Sequence, residues 1–143
     1  MKIVLCGSVK FAEKFLDVKQ TLEKNGHEVF INDAMLAAAN KDKEMIEAIE
    51  RDSSKVKIEH DCIRWYYNET KNGDAVLILN YEKNNVRGYI GGNAFLEMAF
   101  AHVLGKKIFV LNNIPEVSYI DEIKAMEPIV LNGDLENINS CEK

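Results

Sequence analysis

Cysteine and histidine are scarce in this chain of 143 residues: three of each. Cys6, Cys62 and Cys141 are odd in number and far apart, so neither a disulfide framework nor a metal-binding C-x-x-C is present. His27, His60 and His102 are as scattered, which excludes an H-x-x-x-H zinc site; no metal and no organic cofactor is expected. Cys6 and Cys62 lie in apolar surroundings and are expected to be buried, inert thiols. Basic runs are missing too. With 18 basic and 23 acidic side chains the net charge is −5, which disfavours a nucleic-acid polymer or an anionic membrane as partner. Apolar stretches such as Ala75–Leu79 fall far short of the roughly 18–20 residues that span a bilayer. Met1–Cys6 lacks the length and cleavage site of a secretory signal, so a cytoplasmic location is expected. Internal repeats and low-complexity tracts are absent.

What is present is an alternation of short apolar runs with amphipathic stretches. Lys2–Cys6 reads as a strand covered on both faces and ends in Gly7-Ser8. From Val9 to Asn25, Phe11, Phe15, Val18 and Leu22 recur at helical spacing and Asn25-Gly26 stops the helix. Glu28–Ile31 is a second strand. The alanine- and charge-rich stretch 32–54 reads as a mobile flap or an extra helix near Lys43–Glu50. One helix is predicted over Lys55–Thr70, then strand Ala75–Leu79, a loop from Asn80 to Gly92, and helix Asn93–Leu104. Strand Ile108–Leu111, helix Tyr119–Met126 and strand Ile129–Leu131 follow. Residues 1–131 form a single domain, and 132–143 a polar C-terminal tail, disordered or reaching a neighbour. Unbroken Val/Ile/Leu strands alternating with helices predict an α/β fold: a flavodoxin-like (Rossmann-like) three-layer sandwich with a five-stranded parallel sheet in the order 2-1-3-4-5. Ligands then bind beyond the carboxyl ends of the strands, at the switch point between strands 1 and 3.

That geometry sorts the polar residues. Glu97 is the sharpest signal, because in Ala94–Leu104 only Glu97 and His102 are not apolar. A carboxylate near the start of such a helix faces the crevice; desolvation raises its pKa while the helix dipole favours its charge. Asp61 borders the Ile58/Cys62/Trp65 stripe, with a surface pair to Arg64 and a site role equally open. Asp74 stands at the amino end of its strand and reads as a turn residue. Gly7 and Ser8 offer backbone N–H groups to an anion or a sugar hydroxyl, and Gly88, Gly91 and Gly92 allow close approach before the Glu97 helix. Neither G-x-G-x-x-G nor a P-loop is complete, which disfavours a dinucleotide site or a P-loop kinase. Asn80 and Tyr81 follow strand 3, and Asn112 and Asn113 follow strand 4.

The set Cys6-Gly7-Ser8, Ile58-Glu-His-Asp61, Gly73-Asp74-Ala-Val-Leu-Ile-Leu79, Glu97-Met-Ala-Phe-Ala101 and Lys106-Lys-Ile-Phe-Val110 resembles the nucleoside 2-deoxyribosyltransferase superfamily. That superfamily includes the 2'-deoxynucleoside 5'-phosphate N-hydrolases. The resemblance implies cleavage of the N-glycosidic bond of a (2'-deoxy)nucleoside or nucleotide, with Glu97 as nucleophile and Asp61 assisting at the base. The deoxyribosyl group passes to water or to another base. Gly7, Ser8, Asn80, Gly92 and Asn93 are expected to hold sugar or phosphate, with Phe11, Trp65 or Tyr81 stacking on the base. It also implies a homodimer. The sequence departs from the family pattern at Gly91, where an Asp or Ser is usual, and at Asn93 and Phe95, where glycines are usual. The alternative on the same fold is a nucleotide-binding or sensor module that does not cleave.

Overall fold

The structure is a computed structural model that describes residues 1–141. Five parallel strands, β1 (Lys2–Cys6), β2 (Glu28–Phe30), β3 (Ala75–Ile78), β4 (Lys107–Val110) and β5 (Ile129–Val130), form one sheet in the order β2-β1-β3-β4-β5. The α/β architecture with this order is the flavodoxin-like arrangement expected from the alternation. Side chains leave each strand alternately to its two faces, so both faces need a cover. Ile3, Leu5, Leu77 and Phe109 pack with Phe15 and Leu22 of helix α1 (Ala12–Lys24) on one side. Val4, Cys6, Val76, Ile78 and Val110 pack on the other with Tyr66 of α5 (Cys62–Asn72), Met98 of α6 (Gly92–Val103) and Ile123 of α7 (Ile120–Ala125). Cys6 and Glu97 therefore belong to the same side of the sheet. Asp74 marks the far edge as a turn residue: its carboxylate accepts from the Lys2 backbone N–H at 2.7 Å.

Three segments differ from the sequence expectation. Residues 32–54 hold the extra helix expected near Lys43–Glu50, α3 (Lys43–Arg51), and differ in holding a second, α2 (Asp33–Ala39); the side chains of Asn32 and Asp42 start them. The single helix predicted over Lys55–Thr70 is two, α4 (Ser53–Glu59) and α5. The chain breaks between them at Asp61, whose φ of 46° is left-handed. Asp tolerates that conformation better than most residues, so apolar spacing runs through a bend it cannot register. Residues 132–141, set apart as a polar tail, turn back through a short helix α8 (Asn137–Ser140). Ile138 of that helix is completely buried in the α1-side core, and the Asn137 amide donates to the Leu131 carbonyl at 2.8 Å. Among the described residues no helix is long and apolar enough to cross a membrane.

Candidate active site

A cavity of about 280 Å³ opens at the carboxyl ends of β1 and β3, where the strand order reverses. That is the low end of the range for small-molecule pockets. Gly7 and Ser8, directly after β1, form one wall. Gly7 suits the position because a Cβ there would crowd the Leu79 carbonyl and the Phe15 ring, at 3.2 and 3.3 Å. Ser8 caps the short turn that follows, accepting from the Lys10 N–H at 3.3 Å. The opposite wall is the first turn of α6. Its cap residue Gly91 supplies no side-chain bond, and Gly92, Asn93 and Ala94 line the cavity, so first-turn amides face a ligand.

Glu97 lies one turn further along α6, lines the cavity and is 5% exposed. The Cys6 thiol stands beside it, donating to the Val4 carbonyl at 3.7 Å, while Glu97 Oε2 has no partner among the described residues. Burial raises its pKa from 4.5 to about 8, only partly opposed by the neighbouring Cys6 thiol and the charge of Lys57. Desolvation thus prevails, and the resting side chain is mostly a neutral acid at pH 7. The same proximity pushes the Cys6 thiol well up, through its own burial first and the Glu97 charge second. Cys6 is buried, as expected from its surroundings. Cys62 is buried too, and its pKa is raised chiefly by burial; its thiol lies 3.8 Å from the Asn32 side-chain oxygen.

Of the residues selected from the sequence, the cavity brings together Gly7, Ser8, Gly92, Asn93 and Glu97. The others lie elsewhere. Asp61 takes the surface pair: exposed at the α4–α5 bend, both its oxygens accept from the Arg64 guanidinium at 2.9 Å, and it does not line the cavity. Asn80 is fully buried and its amide is already used. It donates to the carbonyls of Gly88, Asn112 and Asn113 and accepts from the Asn112 N–H at 2.8 Å, so it ties loops together instead of facing a ligand. Phe11 and Tyr81 pack edge to face at 5.2 Å on the α1 side, outside the cavity, and Trp65 packs against Tyr66.

Sequence reasoning missed Asn32, Lys57, Lys83 and Tyr89 in the lining. Lys83 arrives through a two-residue hairpin in which Asn84 and Asn85 are both left-handed and Lys83 and Val86 exchange backbone hydrogen bonds. An Asn-Asn pair is a signal for such a turn. The turn carries the Lys83 ammonium to 3.0 Å from the Ser8 hydroxyl and over the Tyr89 ring. One buried carboxyl at the base and two lysines in the walls make a site for a polar, anionic or hydroxyl-rich small molecule. A wider groove of about 900 Å³ near Asn112, Asn113 and Asn132 contains no buried ionisable group. Among the described residues no three His, Cys, Asp or Glu side chains come together as a metal would need.

Fold and cavity define a doubly wound α/β protein with a cavity at its switch point that holds one buried carboxyl and two lysines. Comparison with family models, curated proteins and solved structures finds no match for the chain in any of the three.

Proposed function

We propose that the protein cleaves the N-glycosidic bond of a 2'-deoxynucleoside or its phosphate, with Glu97 as the attacking group. The observation that carries this reading is a buried carboxyl with an unpartnered oxygen, in the wall of a small-molecule cavity, on an otherwise apolar helix. Buried Glu without a charged partner is rare unless it has work to do. The ionised carboxylate forms a bond to the anomeric carbon as the bond to the base nitrogen breaks, and the base leaves with the electron pair and takes a proton from water. Water or a second base then displaces Glu97 from the glycosyl ester. Positive charge developing on the sugar stabilises ionised Glu97, which offsets the desolvation that keeps it neutral at rest. Ser8, Lys83 and the first-turn amides of α6 hold the sugar or its phosphate. Asp61 has no part in this scheme, since it stands on the surface with Arg64.

Free base released from deoxynucleosides and deoxynucleoside monophosphates, followed by chromatography, tests the proposal. Release is expected to fall by at least about 10³-fold in Glu97→Gln with ligand binding retained. In wild type, kcat/KM should rise with pH towards about 8, as the attacking form accumulates. A second reading, a sensor that binds a nucleotide without cleaving it, is favoured by the lone carboxyl: among the described residues one acid lines the cavity, where acid and nucleophile roles ordinarily need two. Tight binding without release by wild type would select the sensor; release undiminished in Glu97→Gln would sink the nucleophile.

A further inference from the structure

Among the described residues the charged side chains that line the cavity are Lys57, Lys83 and Glu97, and the reaction leaves Lys57 without a task. Lys57 is half-buried on α4 and has no carboxylate within 4 Å among the described residues. The acids nearest to it in the chain are already taken: Glu59 meets Lys55 at 3.8 Å and Asp61 meets Arg64 at 2.9 Å. Across the cavity, Glu97 Oε2 is buried without a partner. A cation lacking an anion and a carboxyl lacking a cation thus share one space of about 280 Å³. The Lys57 charge acts on Glu97 against the effect of burial, and it acts on the Cys62 thiol of α5 in the same sense. Lys83 does not compete. Its ammonium is held by the Ser8 hydroxyl at 3.0 Å and the Tyr89 ring, and its charge is not among those that act on Glu97. The other titratable groups around the carboxyl, Cys6 from β1 and Cys62 and Tyr66 from α5, are acids pushed up chiefly by burial, so none brings a positive charge.

We propose that Lys57 is the positioning residue for Glu97: its ammonium stands across the cavity as the counter-charge of the carboxylate and raises the charged share of the attacking group. Opposite charges attract strongly where little water intervenes, and Lys57, being half-buried, keeps part of its own hydration, so the pair avoids the full cost of burying two ions. Nothing polar holds α4 away from α6. Among the described residues no hydrogen bond or ion pair joins residues 43–59 to any residue outside 42–61. Apolar contact seats this segment instead, with Val56 buried and Ile49 packed on the α1-side core. A helix seated in this way, carrying a long flexible side chain, can bring the ammonium towards the carboxylate as its charge forms without breaking a polar contact.

The role in turnover rests on Glu97 being the nucleophile, whereas the pairing does not, so each has its own readout. Carbon-13 NMR of the full chain labelled at glutamate, with Glu97→Gln assigning the signal, follows the carboxyl as pH rises. The wild-type midpoint near 8 should move up by at least about half a pH unit in Lys57→Met and stay in place in Lys57→Arg and in Lys83→Met. An unmoved midpoint in Lys57→Met, or an equal move in Lys83→Met, overturns the pairing; Lys57→Gln takes the place of Lys57→Met if that variant does not fold. For a deoxynucleoside monophosphate, kcat/KM at pH 7 should fall roughly threefold or more in Lys57→Met and recover at about pH 9.5, above both midpoints. A loss equal at every pH makes Lys57 a ligand contact and overturns its role towards Glu97. If wild type releases no base at any pH, the nucleophile reading falls and the titration alone judges Lys57; release with an unmoved midpoint removes Lys57 and spares the reaction.

Discussion

Glu97 combines two costs that are seldom tolerated together, a buried ionisable group and an oxygen with no partner. Its stability consequence follows from the raised pKa. Below about pH 4.5 the carboxyl is protonated in both folded and unfolded chains and costs little. Between about 4.5 and 8 the unfolded chain releases the proton while the folded one keeps it, so stability falls as pH rises. Each unit is worth about 1.4 kcal/mol, and the whole window on the order of 3–5 kcal/mol. Glu97→Gln removes the titration and keeps the shape. Urea unfolding should therefore show the variant gaining on wild type from pH 5 to pH 8 by a few kcal/mol, and a constant difference across that range would mean that water reaches the carboxyl. This residue was legible in the sequence because one charge in an apolar helix stands out against its own periodicity. Asp61 and Asn80 were not, since a polar residue near a strand end reads alike whether it faces a ligand, solvent or other backbone.

Strands and most helices follow from local pattern, because each strand is an unbroken apolar run and each long helix carries one apolar stripe. The loop from Asn80 to Gly91 obeys different rules. Its path depends on partners distant in the chain: Asn80 binds the carbonyls of Asn112 and Asn113, and Gly88 passes so near that a Cβ would lie 2.2 Å from the Asn113 oxygen. Such pairings leave no periodic mark, which is why Lys83 could not be placed from spacing even though its Asn-Asn turn was readable. Asn80→Ala would leave the Asn112 N–H and three carbonyls short of a partner in a buried setting. A loss of about 2–4 kcal/mol is expected in urea unfolding. Ligand affinity should drop with it, because Lys83, Tyr89 and Gly91 all reach the cavity on this loop. Unchanged stability would show that water replaces the Asn80 amide at little cost.

At the scale of the molecule, the two sides of the sheet are covered by different means. One side is closed by α5, α6 and α7, while the other is covered by α1 and α2 and completed by residues 132–141. Composition hides this, since the segment is polar except for Gly133, Leu135, Ile138 and Cys141, and one fully buried side chain is too little for a periodic signal. The polar residues around Ile138 act as clamps. Asn25 donates to Glu136 at 2.9 Å, His27 and Asn139 lie 3.2 Å apart, and Lys107 reaches the Cys141 carbonyl at 2.7 Å. These contacts tie residues 136–141 to the turn before β2, at one edge of the sheet, and to the start of β4, three strands away in the sheet order. Ile138→Ala opens a cavity against Leu131 and the α1 layer, with an expected cost of about 2–4 kcal/mol. In a chain of this size that lowers the melting temperature by roughly 10 °C, measured by circular dichroism. Ile138→Val should cost only about 1 kcal/mol, and equal melting of wild type and Ile138→Ala would return these residues to the status of a tail.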